Sequence, residues 1–178
     1  MNNPIEDQIG TRELREAAYH EAGHLTLLQR FGGYGAAAVW KNLSDDPAEK
    51  YWRGQCVAYI CPPLKREHAK HLGLRAAPYL PKDWRVQFAA AGLIAEEILD
   101  GIDDPWWAAE RVNARVDMND ASDSDLMHMG ISDINNYDIA ALSRSARKAY
   151  RYLVKDWPLV QQEAERLIAE ATGMRVKT

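Results

Sequence analysis

The chain has 178 residues, 47% of them hydrophobic and 27% charged, with a formal net charge of −4. That length fits one domain. The composition is that of a globular protein, and the slight acidic excess gives no global pull towards nucleic acid or acidic lipid. No apolar run approaches the length of a membrane span, and the polar, acidic segment 1–10 does not read as a signal peptide. The two cysteines, Cys56 and Cys61, supply neither a disulfide framework nor a C-x-x-C metal knuckle. Free thiols in a reducing, cytoplasmic setting are the plain expectation.

Residues 1–10 read as a loose lead-in, with Thr11 placed to cap the first helix. From Arg12 to Arg30 the apolar residues Leu14, Ala18, Leu25 and Leu28 recur at helical spacing. Gly32-Gly33 gives a C-terminal stop. Gly23, inside this helix, costs roughly 1 kcal/mol relative to Ala, which implies either tolerance or close approach by another backbone. Ala36–Lys41 and Gln55–Ile60 read as short strands flanking a polar turn-rich stretch, hence a hairpin, and Pro62-Pro63 stops the second. Lys65–His71 reads as a short charged helix. A strongly apolar helix follows over about Trp84–Leu99 and stops at Gly101. Pro105 opens another helix through Val116. The acidic stretch Asp117–Asp125 leads into a helix starting near Ser122–Asp125. A long helical pattern over Asp138–Ala171 is expected to break at Pro158.

The first helix contains His20-Glu21-Ala22-Gly23-His24, an H-E-x-x-H pattern in helical phase. Residues four apart share a helix face, so His20 and His24 can address one metal ion from adjacent turns. Neutral imidazoles are good zinc ligands, and two of them leave room for a third protein group and a water. Glu21 stands beside them as a general base. The third ligand must come from a distant segment. Glu96, Glu97, Asp123, Asp125 and His128 are candidates, with His68 and His71 set aside as members of a Lys-rich, solvated face. Asp125, at a helix start, can equally be a simple cap.

The segment Glu16-Ala17-Ala18-Tyr19-His20-Glu21-Ala22-Gly23-His24 resembles the zinc helix of the protease domain of FtsH-type membrane-anchored, ATP-dependent zinc metalloproteases. Residues Ala90 to Ile98 resemble that family's A-G-x-x-A-E-E helix. Residues Ala121 to Leu126 resemble its A-S-N-D-[LI] segment, whose aspartate is the third zinc ligand. The resemblance implies Asp125 as third ligand and Glu97 (or Glu96) as the carboxylate that orients a ligand histidine. It implies a mainly α, α+β, zincin-like fold with a small strand hairpin beside the zinc helix, in one domain over 1–178. Its cofactor would be Zn2+, and its activity endopeptidase cleavage of a peptide or unfolded protein. Self-association is compatible with it; membrane and nucleic acid are not expected partners. The contrasting expectation is a non-proteolytic zinc-binding interaction or regulatory module on the same fold.

The departures are specific. The 178 residues are expected to hold neither an ATPase module nor a membrane span. Residues 102–120, with Trp106-Trp107, lengthen the gap between Glu97 and Asp125 and read as an insertion. The segment Ala121-Ser122-Asp123-Ser124-Asp125-Leu126 is one residue longer than the family's, which keeps Asp123 as a rival ligand. Three surface expectations remain. Substrate backbone can pair with an edge of one of the two strands. Trp106 and Trp107 are expected in core packing rather than in a lid or an oligomer contact. The basic stripe Arg144, Arg147, Lys148, Arg151 and Lys155 is expected as a solvated face paired with nearby carboxylates rather than a nucleic-acid site.

Overall fold

A computed structural model of the chain describes residues 4–44, 46, 49–60, 66–71, 73 and 80–173. The described residues are mainly helical, with one two-stranded antiparallel hairpin. In chain order they form α1 (Pro4–Arg30), β1 (Tyr34–Lys41), β2 (Trp52–Tyr59), α2 (Arg66–His71), α3 (Trp84–Leu99), α4 (Pro105–Asp117), α5 (Asp123–Met129), α6 (Ile139–Lys155) and α7 (Trp157–Ala171). None of the described helices is long and apolar enough to cross a membrane.

The first helix starts at Pro4, not near Thr11, so the expected lead-in is largely helical. A proline at the first helical position loses no hydrogen bond and brings a helix-compatible φ. The end of α1 follows the glycine signal. Gly32 adopts φ 78°, its N–H bonds Gln29 O and the Gly33 N–H bonds Leu28 O, both at 2.9 Å. That paired closure needs a left-handed residue, which glycine supplies without a Cβ clash. Likewise α6 and α7 part at Asp156, two residues before Pro158. Proline is tolerated in a first turn and disruptive further in, so the break falls ahead of it.

The core is built around α3. From Gln87 to Ala95 every residue is buried, and α3 packs against α1, α4, α5 and α6. Burial of Phe88, Leu93 and Ile94 contributes about 1.5–3 kcal/mol each. Small residues set how near α1 comes. A Cβ on Gly23 would lie 2.6 Å from Ala91 O and 2.7 Å from Ala95 Cβ. The glycine inside α1 is therefore a point of close backbone approach. The hairpin lies against α1 in a register that pairs Ala37 with Cys56 and Trp40 with Arg53.

Two surface expectations change. Trp106 and Trp107 are 62% and 52% exposed, not core. The face of α4 that packs inward carries Ala108, Ala109, Val112 and Val116, and the two tryptophans precede it on the outer arc. Arg147 stacks 3.5 Å from the centre of the Trp106 ring. On the basic stripe of α6, Lys148 pairs with Asp83 at 2.8 Å. Arg144, Arg151 and Lys155 are exposed and, among the described residues, have no carboxylate within salt-bridge distance.

The α1–α3 contact is testable. Gly23→Ala adds helix propensity worth about 1 kcal/mol, but the new methyl meets backbone, and overpacking costs about 1–3 kcal/mol. The variant is expected to unfold at lower urea than the parent. At Gly10, where an added Cβ meets nothing within 4 Å, the same change is expected to be neutral or stabilising.

Candidate metal centre

His20 and His24 lie one turn apart on α1 with rings edge to face, centroids 4.7 Å apart. Their Nε2 atoms approach to 3.0 Å. From α5, the Asp125 carboxylate places Oδ2 3.2 Å from His20 Nε2 and Oδ1 3.3 Å from His24 Nε2. These three residues form a group that could hold a metal ion. Donors about 2.0–2.1 Å from one tetrahedral ion stand about 3.3 Å from each other, so the spacing matches a common centre.

Hydrogen bonds behind the rings fix which atoms face that centre. His24 Nδ1 lies 2.7 Å from Phe88 O. A carbonyl only accepts, so Nδ1 carries the proton and Nε2 offers its lone pair. His20 Nδ1 lies 2.5 Å from Glu96 Oε1. Burial would raise the Glu96 carboxyl, but His20 and Arg115 outweigh it and hold the group at about 2, so it is an acceptor. Both Nε2 lone pairs and the Asp125 oxygens thus point at one place with no donor of their own. Such a set fits a cation. Without one, a proton must serve. Burial acts to lower His20, but hydrogen bonds to Asp125 and Glu96 outweigh it and raise the ring well above its ordinary value. Burial, aided by the charge on His20, draws His24 down to about 4.

Asp125 is not the cap of α5. Ser122 holds that position, its Oγ accepting the Asp125 N–H at 3.1 Å and donating to Asp125 Oδ2 at 2.8 Å. The aspartate is thereby freed from capping and turned inward. Burial acts to raise it, yet His24, His20 and Ser122 keep it well below the usual carboxylate range. Asp123 is exposed and outside the group.

The carboxylate on His20 is Glu96, and this corrects the expectation for Glu97. Adjacent helical residues point about 100° apart, so only one of the pair can face α1. Glu97, 2% exposed, turns towards α4 and bonds Arg111.

Glu21 is buried within the cleft lining and, among the described residues, has no hydrogen bond or ion pair. Burial first, then the negative charges of Asp125 and Glu96, opposed by His20, push its carboxyl up to about 7. Two glycines make room for these groups. A Cβ on Gly92 of α3 would lie 2.5 Å from both Nε2 atoms, and one on Gly54 of β2 would lie 2.5 Å from Glu21 Oε1. Sequence reading missed both. The run Ala89-Ala90-Ala91-Gly92 was the available sign that α3 presents bare backbone to a neighbour.

The site opens into a cleft of about 630 Å³ whose walls include Trp40, Arg53, Gln55, Phe88, Met127 and His128. His128 is exposed and edge-on to Phe88, ring centroids 6.0 Å apart, and is not part of the ligand group. Cys56, a free thiol, also lines the cleft, and burial pushes it up to about 12. His71 is exposed and is not part of the ligand group; the side chain of His68 and all of Cys61 lie outside the described residues. No protein-family model matches the chain, and no curated protein matches it.

The state of Glu21 predicts a pH effect on the metal-free protein. A carboxyl raised on folding binds its proton more tightly when folded, so its contribution to stability is present below pH 4.5 and lost as pH rises towards about 7. Metal-free Glu21→Gln is therefore expected to be more stable than the metal-free parent above that window, with the gap closing towards its lower end. Urea unfolding in chelator across the window measures it.

Proposed function

We propose that the protein is a zinc-dependent metalloendopeptidase with a zincin-like fold related to the FtsH-type protease domain. The observation that carries the reading is the Glu21 carboxylate, buried and unbonded, beside three donors that face one point on the floor of an open cleft. A purely structural zinc site is closed by four protein ligands. Among the described residues three donors converge, which leaves a position for water. Nothing in a structural site calls for a buried carboxylate with no partner. A carboxylate without a bonding partner beside that point is positioned to take a proton from a water there.

His20, His24 and Asp125 would hold the zinc, which when bound would supply Lewis acidity for a peptide carbonyl and lower the pKa of water to about 7. Glu21 takes a proton from the attacking water and later delivers it to the leaving amine. Glu96 holds His20 in the tautomer that offers Nε2, and the Phe88 carbonyl does the same for His24. Ser122 bonds Asp125 Oδ2, limiting how that carboxylate can swing.

The cleft favours an extended polypeptide. Strand β2 contributes Arg53, Gly54, Gln55 and Cys56 to its wall. The outer side of β1 faces α7, where Arg166 Nη2 donates to Ala37 O at 3.4 Å. These contacts favour β2 over β1 as the strand that pairs with substrate backbone. Trp40, Phe88 and Met127 offer apolar contact to side chains.

Two measurements test the reading. With unfolded casein as substrate, Glu21→Gln is expected to keep its zinc and lose cleavage by about 10²–10⁴-fold, the usual range for a general base; cleavage at the parental rate would exclude the mechanism. In native mass spectrometry, Asp125→Ala is expected to lose zinc while Asp123→Ala retains it. The reverse pattern would move the third ligand to Asp123.

A further inference from the structure

The carboxylate behind His20 is itself held from behind. Glu96 uses Oε1 for the His20 ring and Oε2 for Arg115, whose Nη1 donates at 2.7 Å. Arg115 is fixed in turn: its Nε donates to Asp120 Oδ2 at 3.0 Å, and Glu97 Oε1 lies 3.9 Å from Nη1. A chain of contacts therefore runs from α4 through α3 to the metal-facing ring on α1. Helix α4 presents two arginines four residues apart to the adjacent carboxylates of α3. Arg111 takes Glu97, which bonds neither histidine; Arg115 takes Glu96, which does.

We infer that Arg115 is a positioning residue for the metal, acting on His20 through Glu96; the inference rests on the metal reading of the site. An imidazole can present Nε2 squarely only if its Nδ1–H has a fixed acceptor. A carboxylate with one oxygen unpaired can rotate about its stem, while one clamped by a guanidinium cannot do so without breaking a charge-assisted hydrogen bond. Arg115 is itself mostly buried, between three carboxylates. Its removal leaves Glu96 short of its counter-charge and the His20 ring less well aimed. Outer partners of metal ligands typically account for about 10–100-fold in metal affinity. The residue lies within 102–120, the stretch that reads from the sequence as an insertion relative to the family that the zinc helix resembles. That stretch therefore braces the site.

Zinc affinity, read by competition with a chromophoric chelator, tests this without reference to turnover. Arg115→Ala is expected to weaken zinc by about tenfold or more. Arg111→Ala, the same charge change one turn away, is expected to stay within about twofold. In a Glu96→Gln background, Arg115→Ala is expected to add little further loss, because its route to His20 is already cut. Arg115→Gln, which keeps bulk and a donor, carries the comparison if the alanine variant does not fold. Parental affinity in a folded Arg115 variant overturns the inference, as does an equal loss in Arg111→Ala. If the parent takes up no zinc, or His20→Ala takes up as much as the parent, the metal reading fails and the inference falls with it.

Discussion

Three electron-pair donors aimed at one point repel each other, and the fold holds them there. His20 Nε2, His24 Nε2 and the Asp125 carboxylate stand 3.0–3.3 Å apart with both ring protons committed elsewhere. Much of the packing near the site can be understood as the means of keeping that cluster assembled. Gly92 lets α3 lie against both rings, Gly23 lets α1 come that close, and Gly54 gives β2 the same intimacy with Glu21. In each case an added methyl would meet backbone, a ligand ring or the candidate base. The arrangement is unfavourable by itself and becomes favourable when a cation neutralises it, so binding free energy and folding free energy are linked.

The sequence made this centre half legible. The spacing of His20 and His24 depends only on the helical repeat, a local property that any segment in phase would show. The strands, the long helices and the stop at Gly32 are local in the same sense. The choice between Glu96 and Glu97 was not local. It depends on how α3 is rotated against α1, which is set by packing of Ala91 and Ala95 on Gly23. Likewise Asp125 could be read as a cap or a ligand until the side chain of Ser122 was seen to do the capping. Trp106 and Trp107 were expected in core packing, whereas the inward face of α4 is made from Ala108, Ala109, Val112, Asn113 and Val116. A helix seated close to its neighbour has no space for an indole, and the large rings fall outside.

The second layer around the metal group shows how one helix pair serves two ends. Adjacent carboxylates on α3 point about 100° apart, so Glu96 can reach α1 while Glu97 faces α4. Two arginines on α4 then pair with them. These pairs are not simple stabilising contacts. A buried ion pair recovers its desolvation cost only with good geometry and further hydrogen bonds. Arg115 meets that condition by bonding Glu96 and Asp120 at once. What the pair adds is definition: Arg115 holds the carboxylate that accepts from His20 Nδ1.

Glu21 shows the opposite treatment. Every other carboxylate of the centre has partners that keep it ionised: Asp125 has two histidines and a serine, and Glu96 has a histidine and an arginine. Glu21 has burial and like charges around it, so its proton is held until about pH 7. The Glu21 side chain lines the cleft and has no bonding partner among the described residues. The surrounding chain makes space for it, with glycine at position 54 and open cleft beyond. The three acids on three neighbouring elements thus differ by environment: Asp125 faces the shared donor point, Glu96 bonds His20, and Glu21 has no bonding partner among the described residues. The proposed reading of proton transfer rests on that difference in environment more than on the H-E-x-x-H pattern.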